Sequence, residues 1–453
     1  MVCVSLLKGK VFRLFLSVIV SLLLYPLVGQ SEVFNVTNED ELRQALSIAE
    51  SNGKDDVINV GAGLYSTFGE PFTFETNEDF SLVIGGEGVG LTILDGEGIS
   101  RVLEINGGTF SFFTIKGLTI QNGFSEDGGG GALVNGDIVE ILENEFRDNK
   151  TMGFGGGFAG DGSPLYLISN RFVRNSATNG GGVWTDSIEG PAIIVNNIFK
   201  NNHSSFDGGG IKISAINFNT GVTFTNNTFT LNTAGRNGGA INMDVFFFDT
   251  PPPPSSSEAS LKSMLYNNIS ASQTSSNRQS PLPFDLNIYN NIIYDNFATN
   301  EGDDIYIDDI TAFSLQILTT NLFNNDFSDF FSFCENSPEC EPIINEGNNL
   351  DEDPLFVDAE AGDFSLLPDS PCIDAGDPNA PDIPDTDIFG NPRVPPPDMG
   401  AVEYIEETIK GGGGCSIAHN PISSSSAVFL VIPVLILIRR FVRRYSITGF
   451  KGQ

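Results

Sequence analysis

The sequence predicts an all-β solenoid, a parallel β-helix, on three observations. The first is a frame that recurs along the middle of the chain: Asn-x-Phe-x-x-Asn, a few polar residues, a Gly triplet and a second apolar run. It stands at 144–158, 170–184, 197–211 and 227–241 and, degraded, at 291–305. The second is its period. The first Asn falls at 144, 170, 197 and 227, so the steps are 26, 27 and 30 residues, within the range of repeat architectures. The third is the length of the apolar runs. Stretches such as 193–195 and 211–213 are too short for helices, so each repeat reads as two or three short strands, one coil of a solenoid.

In such a coil, equivalent residues stack on one another. Phe146, Phe172, Phe199 and Phe229 are expected to form an internal aromatic stack. Asn149, Asn175, Asn202 and Asn232 are expected to form a ladder of amides at a bend, because Asn tolerates the left-handed conformation and bonds nearby backbone. The Gly triplets read as corners that need positive φ. Trp184 follows one triplet, and the core is its default place.

Composition narrows the function. The formal charge of −35 disfavours nucleic acid, whose phosphates would be repelled. It suits a solvated extracellular surface and divalent cations. Five Cys are too few for a disulfide scaffold, although Cys334 and Cys340 bracket a short loop and are a candidate pair in an oxidising compartment.

Taken in order, residues 1–30 have the layout of a secretory signal: Lys8, Lys10 and Arg13, then an apolar run over 14–24, then small residues near Gly29. An uncleaved anchor is the other reading. The β-helix is assigned to 31–345. It opens with a short helix capped by Asn38 and Glu41, with Leu42, Ala45, Leu46 and Ala49 on the face that covers the first coil. Strands are expected at 57–60, 81–84, 92–94, 102–105 and 118–120. The Gly-rich stretch 85–90 lacks the Lys-Ser/Thr of a phosphate loop and reads as a corner. Residues 250–283, rich in Pro and Ser, read as a flexible excursion from one coil. Residues 346–404 are expected to close the C-terminal end, with Asp374 and Asp398 capping turns and Arg393 paired to a carboxylate. A Gly/Ser-rich linker, 405–426, contains Gly413, Gly414 and Cys415. The segment 427–453 is apolar and then basic, a hydrophobic anchor or sorting segment with its charged end in the cytoplasm.

Three stretches resemble known groups. The motifs Phe146-Arg-Asp-Asn149, Phe229-Thr-Leu-Asn232, Gly130-Gly-Ala-Leu133 and Gly238-Gly-Ala-Ile241 resemble the repeats of polymorphic outer-membrane proteins and other bacterial β-helix surface proteins. That resemblance implies a right-handed, single-stranded, pectin-lyase-like solenoid. The run from Asn348 to Asp358, the run from Gly362 to Gly376, Asp387 to Arg393 and Asp398 to Glu403 together resemble the terminal segment of "choice-of-anchor Q" surface proteins. The order Gly413-Gly414-Cys415, apolar run, basic cluster resembles Gly-Gly-type C-terminal sorting signals, in which cleavage near the Cys transfers the product to the surface. Together these imply an exported protein of the bacterial cell envelope.

The fold hosts lyases, hydrolases and adhesins, so chemistry must come from residues. A polygalacturonase-like hydrolase needs clustered acids and a Gly-His-Gly-like site; His203, in Asn-His-Ser, supplies no such motif. A calcium-dependent lyase needs acids and a basic side chain on adjacent coils. Arg147, Arg171 and Arg174, with Lys200 and with Asp127, Asp148 and Asp207 nearby, are the candidates. The pairs Asp303-Asp304 and Asp308-Asp309, together with Asp385 and Asp387, would suit Ca²⁺ but match no EF-hand, and no other cofactor is indicated. The reading that results is a surface protein that binds polysaccharide or a cell-surface partner and meets the membrane through its tail. The alternative is a lyase or hydrolase of acidic polysaccharide.

Overall fold

Parallel pairing of each coil with the next organises the chain. The computed structural model describes residues 31–406, apart from 109, 163, 188–189, 217–220, 248–283, 312–317 and 335–342. Among the described residues, strands pair into parallel sheets of eleven, nine, eight and six, and two further strands form an antiparallel pair. One coil places Ile138–Leu142 in the eleven-stranded sheet and Glu145–Arg147 in the eight-stranded sheet. Lys150–Thr151 then enters the six-stranded sheet, and Phe158–Asp161 belongs to the nine-stranded one. The coil therefore has four sides where the repeat predicted two or three, because a two-residue strand follows each Asn. The winding is that of a right-handed parallel β-helix. The 250–283 excursion and Cys340 lie outside the described residues, as do 1–30 and the tail with Gly413, Gly414 and Cys415. Cys334 ends the strand Phe330–Cys334.

Local sequence explains the first element. The helix α1 (Glu39–Ala49) starts at Asn38, whose side chain accepts the Glu41 N–H at 3.0 Å. Glu41 reaches back to the Thr37 N–H, one residue beyond the usual box. Leu42, Ala45, Leu46 and Ala49 are buried against the first coil. The strands Asp56–Val60, Ser81–Gly86, Thr92–Asp95, Leu103–Asn106 and Thr119–Gln121 fall within a residue or two of expectation.

The interior is held by two columns. Phe146, Phe172, Phe199 and Phe229 stack nearly face to face, with centroids 5.0, 4.8 and 4.4 Å apart. This is the rung spacing of a parallel sheet, which sets the geometry. Ile120 and Ile293 continue the column at either end. Beside it the buried amides form a ladder. Asn175 Oδ1 accepts the Asn149 N–H at 3.1 Å and Asn149 Nδ2 at 3.0 Å, and its own Nδ2 donates to Phe146 O at 2.9 Å and to Asn202 Oδ1 at 3.0 Å. The pattern continues through Asn202 and Asn232 to Asn296.

Two details differ from expectation. The left-handed residue is the one before each ladder Asn: Asp148, Arg174, Asn201 and Leu231 have φ of 56°, 55°, 52° and 56°. A single left-handed residue makes the corner, and the Asn behind it satisfies the backbone N–H that the corner removes from sheet pairing. A second ladder, not anticipated, runs at the preceding corner through Asn144, Asn170, Asn197, Asn227, Asn291, Asn325 and Asn349. Of each Gly run only one residue has positive φ, the first of the triplets at Gly155 and Gly180 and the second of the run of four at Gly129 (56°). The next two are required by crowding: a Cβ on Gly130 would lie 2.4 Å from Lys150 O, and one on Gly131 2.5 Å from Gly157 O.

The ladder makes a quantitative demand. Asn175→Ala removes four hydrogen bonds and strands the Asn149 N–H, so the expected loss is about 3 kcal/mol. Urea unfolding checks this, and a loss below about 1 kcal/mol would show that the amides are dispensable.

Candidate functional site

The three arginines considered for lyase chemistry stand in three different columns. Arg147 shares its column with Val173 and Lys200, Arg171 with Glu145 and Ile198, and Arg174 lies at the corner beyond. Each is engaged. Arg147 donates to Gln121 Oε1 at 2.8 Å and lies 3.4 Å from Glu145. Arg174 pairs with Asp148 through two bonds of 2.7 Å, which raises its pKa further. Arg171 lies under the Phe389 ring at 5.0 Å, and burial lowers its pKa while Glu145 opposes the shift. Lys200 donates to Glu360 O.

The acidic candidates also serve the fold. Asp304 is buried and accepts from Ser328 N–H at 2.8 Å, Ser328 Oγ at 3.0 Å and Asn296 Nδ2 at 3.1 Å. Asp303 accepts the Ala298 N–H at 2.7 Å. Asp387 is buried and caps a turn through the N–H groups of Phe389 and Asn391. Asp385 is exposed, and its carbonyl accepts the Arg393 N–H. The side chains of Asp308 and Asp309 lie outside the described residues. Among the described residues no three His, Cys, Asp or Glu groups converge on a metal position.

Residues 346–350 complete the last rung, with Asn349 in the second ladder and Leu350 paired to Asp326, and the rest of the segment to 404 turns back along the flank instead of across the end. Ile343–Gly347 is still a rung of the eleven-stranded sheet. The hairpin of Phe356–Asp358 and Asp363–Leu366 then packs back on the eight-stranded sheet. Phe364, Ala401 and Val402 cover Ile198, and Leu366, Cys372 and Met399 cover Ile292. The cause is in the strands. Their outward positions change from Glu145 and Arg171 to Ile198, Thr228 and Ile292, an apolar surface that needs a lid.

The route of this strap follows the residues of Asn-Asn doublets. The second Asn of each belongs to the inner ladder. The first is left-handed and turns its amide outward to the strap. Asn324 donates to Ala375 O (2.8 Å), Asn290 to Asp377 O (3.1 Å), Asn226 to Asp398 O (2.9 Å) and Asn196 to Thr386 O (3.3 Å). Earlier coils have Glu143 and Ser169 in that place. Within the strap, Arg393 pairs with Glu403 at 3.0 Å, both buried, and donates to Asn196 Oδ1 at 2.9 Å. Asp398 accepts the Asp374 N–H at 2.7 Å.

Sequence reasoning left open the face of Trp184, with the core as default. The structure turns it outward, because Val183 and Thr185 on either side are buried. Trp184 is half-buried on the nine-stranded sheet, its ring 5.1 Å from Phe154. On the next rungs Lys212 and Asn242 share its column. Lys212 donates to Asn242 Oδ1 at 2.7 Å and pairs with Asp244 at 2.8 Å and Asp207 at 3.7 Å. Asp207 also holds Arg236. An aromatic surface thus adjoins a set of fixed polar groups. Its signal was legible: Lys212 stands between Ile211 and Ile213, the outward slot of an alternating strand. Among the described residues no helix is long and apolar enough to cross a membrane.

Two predictions follow from these contacts. Arg174 and Asp148 are exposed, so Arg174→Ala is expected to change stability by less than about 1 kcal/mol, with a double-mutant cycle as the check. A loss of several kcal/mol would overturn that. The second concerns pH. Burial raises Asp304, Asp326 and Asp398 from 3.8 to about 6. Each binds its proton more tightly when folded, so its stabilisation is complete below the unfolded value and is lost as pH rises through about 6. Melting temperature should be higher near about pH 5 than near about pH 7.5. Asp326→Asn keeps an acceptor for the Glu352 N–H and should shrink the difference, whereas an unchanged difference would remove Asp326 from the account.

Residues 83–244 match the family model described as "Right handed beta helix region", which spans the coils that carry Trp184 and Lys212. No curated protein and no solved structure matches the chain.

Proposed function

We propose that this chain is an exported β-helix protein of a bacterial envelope that binds glycan along the outward face of its nine-stranded sheet, in adhesion or matrix contact. The observation that carries the reading is the Trp184–Phe154 pair beside Lys212, Asn242 and Asp244. Sugars present an apolar ring face and a rim of hydroxyls. A half-buried indole takes the first, and the partly exposed carboxylate of Asp244, fixed by Lys212, takes the second. Export and display are supported by the secretory layout of 1–30 and by the sorting-type order of Gly413, Gly414, Cys415 and the apolar, basic end. The resemblance of 348–403 to a surface-protein terminal segment points the same way.

The test is retention of the full chain on a panel of immobilised polysaccharides, with released reducing ends and unsaturated products followed in parallel. Trp184→Ala is expected to weaken retention about tenfold. Retention indifferent to Trp184 would move the site elsewhere. Turnover that is lost with Arg147→Ala or Arg171→Ala would replace binding with lyase chemistry.

A further inference from the structure

We infer that the glycan taken by this face is uncharged, a neutral hydroxyl-rich polymer and not a uronic or sulfated one. The inference rests on the binding reading above and adds the class of ligand. The charge on this face is already spent. Along this face Arg101 is held by Glu104 and Asp127, Lys212 by Asp244 and Asp207, and Arg236 by Asp207. Three cations meet four carboxylates, within a chain of formal charge −35.

A polyanion that approached Lys212 would have to displace a carboxylate held at 2.8 Å or add a further negative charge beside it. Lys212 is also buried, with its ammonium directed to Asn242, so it offers no exposed charge to an incoming uronate. The mean field of the molecule repels the same ligand at longer range. A neutral sugar meets none of these costs. Its hydroxyls donate to Asp244, the partly exposed carboxylate whose position Lys212 fixes, and its ring face lies on Trp184, next to Phe154. The ion pairs thus position acceptors and do not recruit anions.

The experiment compares immobilised neutral β-glucan and galactomannan with polygalacturonate and alginate, using the full chain, Trp184→Ala and Phe154→Ala. The expected result is retention on a neutral polymer that changes less than about twofold from about 0.05 to 0.5 M salt, because uncharged contacts are not screened. Both variants should lose about tenfold, with circular dichroism confirming their fold. Salt-sensitive, Trp184-dependent retention on a uronate polymer would overturn the neutral class while leaving the face as the site. Retention on no polymer would overturn both readings.

Discussion

A buried side-chain amide at a one-residue corner is the interaction on which this molecule depends. A parallel coil must turn sharply between strands, and each turn takes a backbone N–H out of sheet pairing. Here the turning residue is left-handed, even where it is Arg174 or Leu231, which disfavour that conformation. The Asn behind it restores the missing bonds to the coil on each side. Register follows, since a slip of one residue would break the whole column at once. The Phe stack takes its spacing from the parallel sheet, and the amides hold the register that keeps the rings in one column.

The same corner explains the strap. Where a doublet places two Asn at the turn, one amide faces inward to the ladder and the other outward to residues 375–398. Where the outer residue is Glu143 or Ser169, the flank is not bound by these amides. The apolar content of the eight-stranded sheet changes over the same coils. Ile198 and Ile292 stand where Arg171 and Glu145 stood, so polar and apolar signals agree on what is covered.

Much of this was legible in the chain. Period, short runs and repeated Phe predict the solenoid, because identical positions in successive coils meet the same environment. Asn38 and Glu41 predict the helix start. The side occupied by residues 346–404 was not legible, because motif order carries no information on which surface they meet; only Ile198 and Ile292 at outward positions hinted at it. The arginines misled because sequence proximity was read as register. Arg147 and Arg171 sit two strand positions apart, and Arg174 is past the strand end. The role of Trp184 was open until the burial of Val183 and Thr185 gave the phase of its strand. The acidic clusters looked like ligands because a cap and a ligand use the same carboxylate, and only the N–H groups aimed at Asp304 and Asp387 separate the two.

A bare solenoid is a one-dimensional polymer in which each coil answers only to its neighbours, so its ends fray independently of its middle. The strap changes that connectivity. Arg393 bonds Asn196 across 197 residues of chain, and Ala375 meets Asn324 from the other direction. Its partners are spread over the coils from Asn196 to Asn324, so its full set of contacts exists only when those coils stand in register. Once closed, it ties those coils into one cooperative block. The C-terminal segment thereby acts as a latch on the stack.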